Sequence, residues 1–183
     1  MMIRTFLALE IPESVINETI NTRNNVVTNF EWIRWESKDK LHVTLKFLGD
    51  TKPDLIENIF SSLELLSKKY STFDLQLDRF GFFKSNRVPH ILWAGLKENL
   101  ELEKFAKEID ILCSKFGFEK EKRKFKPHIT MLRIKNENIF KQVILLDNYK
   151  LPEVKFAGDK ITLFQSILLR SGSIYKPLRS IRL

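Results

Sequence analysis

Residues 42–49 read His-Val-Thr-Leu-Lys-Phe-Leu-Gly, and residues 127–133 echo them as Pro-His-Ile-Thr-Met-Leu-Arg. In both stretches apolar residues alternate with polar ones, which is the period of a half-buried β-strand. His42 and Thr44 are two positions apart, as are His128 and Thr130, so each pair projects from one face of its strand. The sequence therefore predicts two strands that each present an imidazole beside a hydroxyl.

The composition is that of a folded protein that favours polyanions. The chain has 183 residues, of which 43% are hydrophobic, and this is enough to bury a core. Lys and Arg number 31 against 23 Asp and Glu, and the net charge of +8 favours a polyanion such as RNA without identifying one. A single cysteine, Cys113, excludes an internal disulfide framework and a cysteine-rich metal site. Its apolar helical position predicts a buried residue.

The N-terminal stretch 6–11 is apolar but short, and Glu10 interrupts it. This pattern predicts a strand rather than a signal peptide or a membrane span. We therefore expect a cytoplasmic protein without membrane contact.

Hydrophobic periodicity and end signals predict the remaining elements. Helices are predicted at 13–30, 53–66, 99–116 and 139–146, and strands at 6–11, 42–49, 73–80, 91–96, 128–133, 160–170 and 174–183. A basic loop is predicted at 81–89, and a hairpin turn around Ser171-Gly172-Ser173.

The order strand, helix, His-x-Thr strand, helix, strand occurs twice, in halves of roughly 1–85 and 86–183. Two similar lobes that face each other would bring their equivalent histidines to a shared cleft. No low-complexity linker separates the halves, so we expect one domain with two lobes over residues 1–183.

Two imidazoles across a phosphodiester can divide the work of cleaving it. The unperturbed pKa of about 6.5 lets both protonation states exist near neutrality, so one ring takes a proton from water and the other protonates the leaving oxygen. Hydroxyls two residues on can donate hydrogen bonds to the non-bridging oxygens. No metal or cofactor is required, and three distant histidines do not form a metal motif.

The paired motifs resemble the signature of the two-histidine (2H) phosphoesterases, in particular the LigT-like RNA 2',3'-cyclic phosphodiesterase branch. The resemblance extends to Phe-Leu-Ala-Leu-Glu at 6–10, Leu-Trp-Ala-Gly at 92–95 and the segment 166–175. It implies an α+β fold with two pseudo-symmetric lobes, antiparallel sheets flanked by helices, and a central cleft. It also implies hydrolysis of a cyclic phosphate at the end of an RNA or oligonucleotide to a 2'-phosphomonoester.

On the family pattern His42 would be the general acid for the 3' oxygen, and His128 the general base for water. Thr44 and Thr130 would hold the phosphate, and Arg133 would contact the substrate. Strand alternation alone places Arg133 opposite His128, so its role requires the strand to end or bulge there. The resemblance also suggests that Phe47 contacts a base.

Several residues have a simpler interpretation beside the functional one. Phe47 shares the parity of Val43 and Leu45, which favours a core position. Lys46 shares the parity of His42 and could face the cleft. His90 follows a proline like His128, but no threonine follows it, which favours a surface or capping role. The basic residues at 120–126 could contact an RNA backbone or form a solvated loop. Trp32, Trp35 and Trp93 could stack on bases, and Trp93 fits the core better.

Two alternatives remain open at this stage. The same chemistry could act on another cyclic nucleotide or on a 2'-5' linkage, including its ligation. The chain could instead be a non-catalytic module that binds RNA or nucleotides. We expect a monomer in either case.

Overall fold

A computed structural model of the chain describes residues 1–28, 32–170 and 172–183. Within these ranges the eight strands are β1 (Ile3–Glu10), β2 (His42–Thr51), β3 (Phe73–Ser85), β4 (Val88–Leu96), β5 (His128–Arg133), β6 (Lys155–Gly158), β7 (Lys160–Leu169) and β8 (Gly172–Arg182). The four helices are α1 (Glu13–Val26), α2 (Pro53–Ser67), α3 (Leu100–Ser114) and α4 (Glu137–Val143). The predicted helix end at Phe30 and the turn residue Ser171 lie outside the described residues.

Local sequence explains where the two best-predicted helices begin. Pro53 occupies the first turn of α2, where its fixed φ and missing N–H cost nothing. The Asn99 side chain accepts a hydrogen bond of 2.8 Å from the Leu102 N–H and so caps α3. One face of each helix is buried, and α2 packs against α3 while α3 packs against β2.

All strand pairs are antiparallel, in the order β6-β3-β4-β5-β2-β1-β7-β8. The sheet is symmetric about its centre, where β2 meets β5 through the single pair Val43 and Ile129. On either side β1 corresponds to β4, and β7 corresponds to β3. The predicted α+β architecture with two pseudo-symmetric halves is confirmed.

The two halves of the sheet do not coincide with the sequence halves 1–85 and 86–183. Strand β3 belongs to the first repeat but pairs with β4, and β7 belongs to the second repeat but pairs with β1. The first repeat therefore contributes one strand, β3, to the other half of the sheet, and the second repeat contributes two, β7 and β8. The exchange was not predicted, because the repeat pattern gives element order and not strand pairing. A single domain over residues 1–183 stays a proposal, with lobes defined by the sheet rather than by the middle of the chain.

The predicted loop at 81–89 is wrong. Strand β3 continues through Ser85 and β4 already begins at Val88, so the segment is a β-hairpin. Its two turn residues, Asn86 and Arg87, have φ values of 49° and 68°, which matches the twist of flanking strands in a two-residue turn. The turn has no glycine, so the sequence lacked the usual hairpin signal.

Candidate active site

The four motif residues meet at the centre of the sheet. Because Val43 pairs with Ile129 in an antiparallel ladder, the same register sets His42 opposite Thr130 and Thr44 opposite His128. All four side chains share the face opposite to Val43 and Ile129, both of which are fully buried. The two histidines thus lie diagonally across one small patch, each facing a threonine of the other strand.

A bulge in β2 changes which residues after Thr44 face this patch. Ala8 of β1 pairs with Thr44, but Leu7 pairs with Lys46, so Leu45 is an extra residue. The bulge reverses the alternation. Phe47 is 49% exposed and Lys46 only 7%. The prediction of a core Phe47 is therefore wrong, and Lys46, which could have faced the cleft, is buried on the other side for the same geometric reason.

A matching bulge lies in β5. Trp93 of β4 pairs with Thr130, but Leu92 pairs with Leu132, so Met131 is the extra residue. The bulge brings Arg133 to the face of His128, as its role in substrate contact requires. Phe47 and Arg133 are each five residues after their histidine, and the two bulges place them equivalently.

A pocket opens beside His42 on this face. It is lined by Phe6, Glu36, Lys40, His42, Thr44, Phe47, Thr130, Arg133 and Tyr175. Aromatic rings form one part of its wall, with Phe6 and Phe47 stacked at 6.2 Å between centroids. Charged groups form another part, where Glu36 pairs with Arg133 at 3.5 Å and with Lys40 at 3.8 Å. The pocket therefore offers an aromatic surface and a cation beside an imidazole.

His42 sits in a largely apolar environment. Its ring stacks on Phe6 at 4.9 Å and meets Tyr175 edge-on at 5.5 Å. Its Nε2 and the Thr44 hydroxyl are 3.1 Å apart. Burial lowers the pKa of His42 to about 4, against a raising effect of the bond to the Lys40 carbonyl. The ring is therefore neutral at pH 7 when no anion is bound.

His128 lies outside the pocket, on the far side of the same patch. Its Nδ1 donates to the Lys126 carbonyl at 2.7 Å, so the neutral ring has its free lone pair on Nε2. Burial lowers the pKa of His128, and the Lys126 ammonium adds to this effect. The Phe83 ring packs edge-on at 4.7 Å. This arrangement favours the neutral form of His128, with its basic nitrogen away from the backbone.

Sequence reasoning missed Glu36, Lys40 and Tyr175 as pocket residues. Glu36 and Lys40 belong to the segment between α1 and β2, and Tyr175 to β8. No local pattern marks any of them, because their position depends on how distant segments meet. Burial raises the pKa of Tyr175, so its hydroxyl remains a hydrogen-bond donor at neutral pH.

The third histidine, the cysteine and the three tryptophans do not line this pocket. His90 is exposed on β4, and Cys113 is buried. Trp93 is buried, with the Lys126 ammonium 4.0 Å above its ring. The Arg23 guanidinium covers Trp35 at 4.2 Å, whereas Trp32 is 85% exposed.

Membrane-spanning helices and metal-binding clusters are absent from residues 1–28, 32–170 and 172–183. No helix in these ranges is long and apolar enough to cross a membrane. No group of three or more His, Cys, Asp and Glu residues in the same ranges is arranged to hold a metal ion.

Curated relatives match along most of the chain. The RNA 2',3'-cyclic phosphodiesterase of Thermotoga maritima is 30% identical over 175 residues, covering 96% of this chain and 92% of that protein. The protein of the same name from Methanocaldococcus jannaschii is 30% identical over 178 residues, covering 96% of this chain and 98% of its own.

Two solved structures and one protein family also match this chain. E. coli LigT complexed with 3'-AMP has a TM-score of 0.79 at 25% identity, over 100% of this chain and 99% of that one. The Thermus thermophilus protein TT0787, at 21% identity and a TM-score of 0.80 over 98% of this chain and 97% of that one, shares the fold. The LigT-like phosphoesterase family matches residues 9–93 and 95–175. The chain belongs to the LigT-like phosphoesterase family.

Proposed function

We propose that this protein hydrolyses the 2',3'-cyclic phosphate at an RNA end to a 2'-phosphomonoester, with His42 and His128 as a general acid–base pair. The observation that carries the proposal is the placement of two imidazoles and two hydroxyls on one face of adjacent strands. Relatives named RNA 2',3'-cyclic phosphodiesterase, which match nearly the whole chain, support the choice of substrate.

The reaction needs two proton transfers and one exchange at phosphorus. Nε2 of His128 takes a proton from water while the water oxygen attacks the phosphorus atom. The bond from phosphorus to the 3' oxygen breaks, and protonated His42 gives its proton to that oxygen. The product carries a 2'-phosphate and a 3'-hydroxyl, and proton exchange with solvent restores both imidazoles. Each transfer contributes a rate factor on the order of 10²–10⁴.

Bound substrate favours the protonated form of His42 that the proposed mechanism requires. In the free protein burial lowers the pKa of His42 to about 4, so the acid form is scarce at pH 7. A phosphodiester anion beside the ring favours the imidazolium and raises this pKa. Thr44 and Thr130, which flank the two rings, can donate hydrogen bonds to the non-bridging oxygens.

The pocket beside His42 suits the nucleoside that carries the phosphate. Phe47 stacks on the buried Phe6 and is itself half-exposed, so a base can stack on its ring in place of the Arg4 guanidinium, and stacking tolerates any base. The Arg133 guanidinium is held by Glu36 and can exchange this partner for a phosphate. We therefore assign the terminal base to the aromatic wall and the phosphate to the patch between the histidines.

The test is hydrolysis of 2',3'-cyclic nucleotides and cyclic-ended oligonucleotides in the presence of a chelator, with ³¹P NMR of the product. We expect a 2'-phosphate from the wild type and loss of turnover in His42→Ala and His128→Ala. His90→Ala is the matched control, since His90 also follows a proline but lies exposed on β4. RNA binding without turnover of any cyclic substrate would show a binding module instead. Activity that requires added metal would contradict metal independence.

A further inference from the structure

Lys46 is a buried lysine at a position where the second repeat has a leucine. Both residues directly follow the extra residue of a bulge, Lys46 in β2 and Leu132 in β5. Leu132 is 1% exposed and Lys46 is 7% exposed. An ammonium buried this deeply is costly unless it is paired. The second repeat therefore fills this position with an apolar side chain, whereas the first repeat buries a charged one there.

The Lys46 ammonium joins three segments of the chain. It donates to the Asp110 carboxylate of α3 at 2.6 Å and to the backbone carbonyl of Glu119. The same carboxylate accepts the Glu121 N–H at 3.0 Å. The Lys46–Asp110 pair thus fixes the segment 119–121 against β2, and residues 122–127 connect this segment to β5.

The two motif strands share little backbone pairing. Strands β2 and β5 share one backbone pair, whereas β1 and β2 share eight. At the other end of the patch the Glu36 N–H donates to the carbonyl of Met131, the extra residue of the β5 bulge, at 3.0 Å. Each bulge is therefore bonded to the segment that precedes the opposite motif strand. These two contacts brace the centre of the sheet from both sides.

Six residues, 122–127, connect the segment held by Lys46 to His128. From Glu121 the chain runs to Lys126, whose carbonyl accepts the Nδ1 hydrogen of His128. A shift of the segment 119–126 would move this carbonyl and with it the orientation of the imidazole. General acid–base catalysis loses rate steeply with such misplacement.

We propose that Lys46 and Asp110 are positioning residues, which set His128 against His42 by tying the β2 bulge to the segment that leads into β5. The inference rests on the proposed function, since it assigns the pair an effect on turnover. Apolar residues of similar size often replace a buried ion pair without loss of stability. The pair therefore contributes specificity of geometry rather than stability.

The test compares Lys46→Met, Asp110→Leu and the double variant with the wild type. Each single change leaves a buried charge without its partner, so we expect a lower Tm, and we expect the double variant to recover most of it. In the double variant we expect kcat on a cyclic mononucleotide to fall about tenfold or more, with KM nearly unchanged. Wild-type kcat in the double variant would overturn the proposal.

Two further variants keep the test decisive. Lys46→Arg retains the charge, so its kcat should lie between that of the wild type and that of the double variant. Thr51→Val is the matched control, because it breaks the buried hydroxyl pair of Thr5 and Thr51 at 2.7 Å near the far end of the same strand. It should lower Tm and leave kcat unchanged. A similar loss of kcat in Thr51→Val would show that any damage to β2 suffices, and would overturn the proposal.

A binding experiment separates this inference from the proposed function. In the wild type we expect inorganic phosphate to shift the ring NMR signals of both His42 and His128. In the double variant we expect the response of His128 to be weakened while that of His42 remains. A wild type that turns over no cyclic substrate defeats the proposed function, whereas an unchanged joint response in the double variant defeats the positioning role.

Discussion

Glu10 lies directly opposite His42 in the pairing of β1 with β2. The corresponding position opposite His128, on β4, is Gly95. The Glu10 carboxylate is paired with Lys160 at 3.0 Å and also accepts a hydrogen bond from Thr162. Burial lowers the pKa of His42 to about 4, the charges of His128 and Arg133 add to this lowering, and Glu10 opposes it with a smaller rise. Burial also lowers the pKa of His128, where no carboxylate among the described residues opposes it. The proposed role of His42 as the acid therefore depends on the bound phosphate, which favours the imidazolium.

The first prediction concerns this carboxylate. Glu10→Gln removes a negative charge near His42, so the pKa of His42 should fall further. Lys160→Met removes the cation that offsets Glu10, so the same pKa should rise. Ring NMR titrations of His42, with inorganic phosphate present, measure both directions. Shifts of the same sign in the two variants would contradict the conclusion that the Glu10 carboxylate raises the pKa of His42.

The second prediction concerns stability at low pH. The pKa of His42 is about 4 in the folded protein and about 6.5 when unfolded, so the unfolded chain binds the extra proton between these values. The free energy of unfolding should therefore fall as the pH drops from 6.5 towards 4. The contribution of this one ring is on the order of 3 kcal/mol. Urea unfolding of the wild type and His42→Gln across this range should show the smaller loss in the variant.

The third prediction concerns the aromatic wall. Phe47→Ala should raise KM for a 2',3'-cyclic nucleotide about tenfold, because base stacking is worth about 1–3 kcal/mol. Stability should change little, since Phe47 is 49% exposed. Ribose 2',3'-cyclic phosphate, which has no base, is the control substrate, and its KM should not change. An equal rise for both substrates would show that Phe47 acts on the phosphate end.

The fourth prediction concerns the packing of Gly81 against Trp93. A methyl group at Gly81 would lie 2.5 Å from the Trp93 indole. Gly81→Ala should therefore lower the free energy of unfolding by about 1–3 kcal/mol through overpacking. The close atoms belong to the six-membered ring of the indole, so adding Trp93→Phe should restore part of the stability. Denaturant unfolding measures both variants, and a double variant no better than Gly81→Ala would contradict the steric explanation.

The motif residues were predictable because the chemistry needs only two His-x-Thr pairs, and because alternation along a strand puts the two residues of each pair on the same face. Period-two alternation correctly placed His42 with Thr44 and His128 with Thr130. The same rule failed for Lys46 and Phe47, because one inserted residue at Leu45 reverses the faces of these two side chains. A bulge depends on pairing with a neighbouring strand, so a single stretch of sequence does not reveal it.

The helices were predicted well where local signals were strong. Asn99 and Pro53 mark the starts of α3 and α2, and the structure uses both. The pairing of strands was not predicted, because it depends on contacts between distant segments. The exchange of β3 and β7 between repeats is the clearest case.

This exchange has a consequence for any attempt to divide the molecule. Cutting the chain in the turn at Asn86 and Arg87 separates the two repeats in sequence, yet each fragment then keeps a strand whose neighbour is on the other. Open strand edges of this kind promote aggregation. The fragments should accordingly be insoluble when made singly and recover a soluble form when produced together, as an obligate complementing pair.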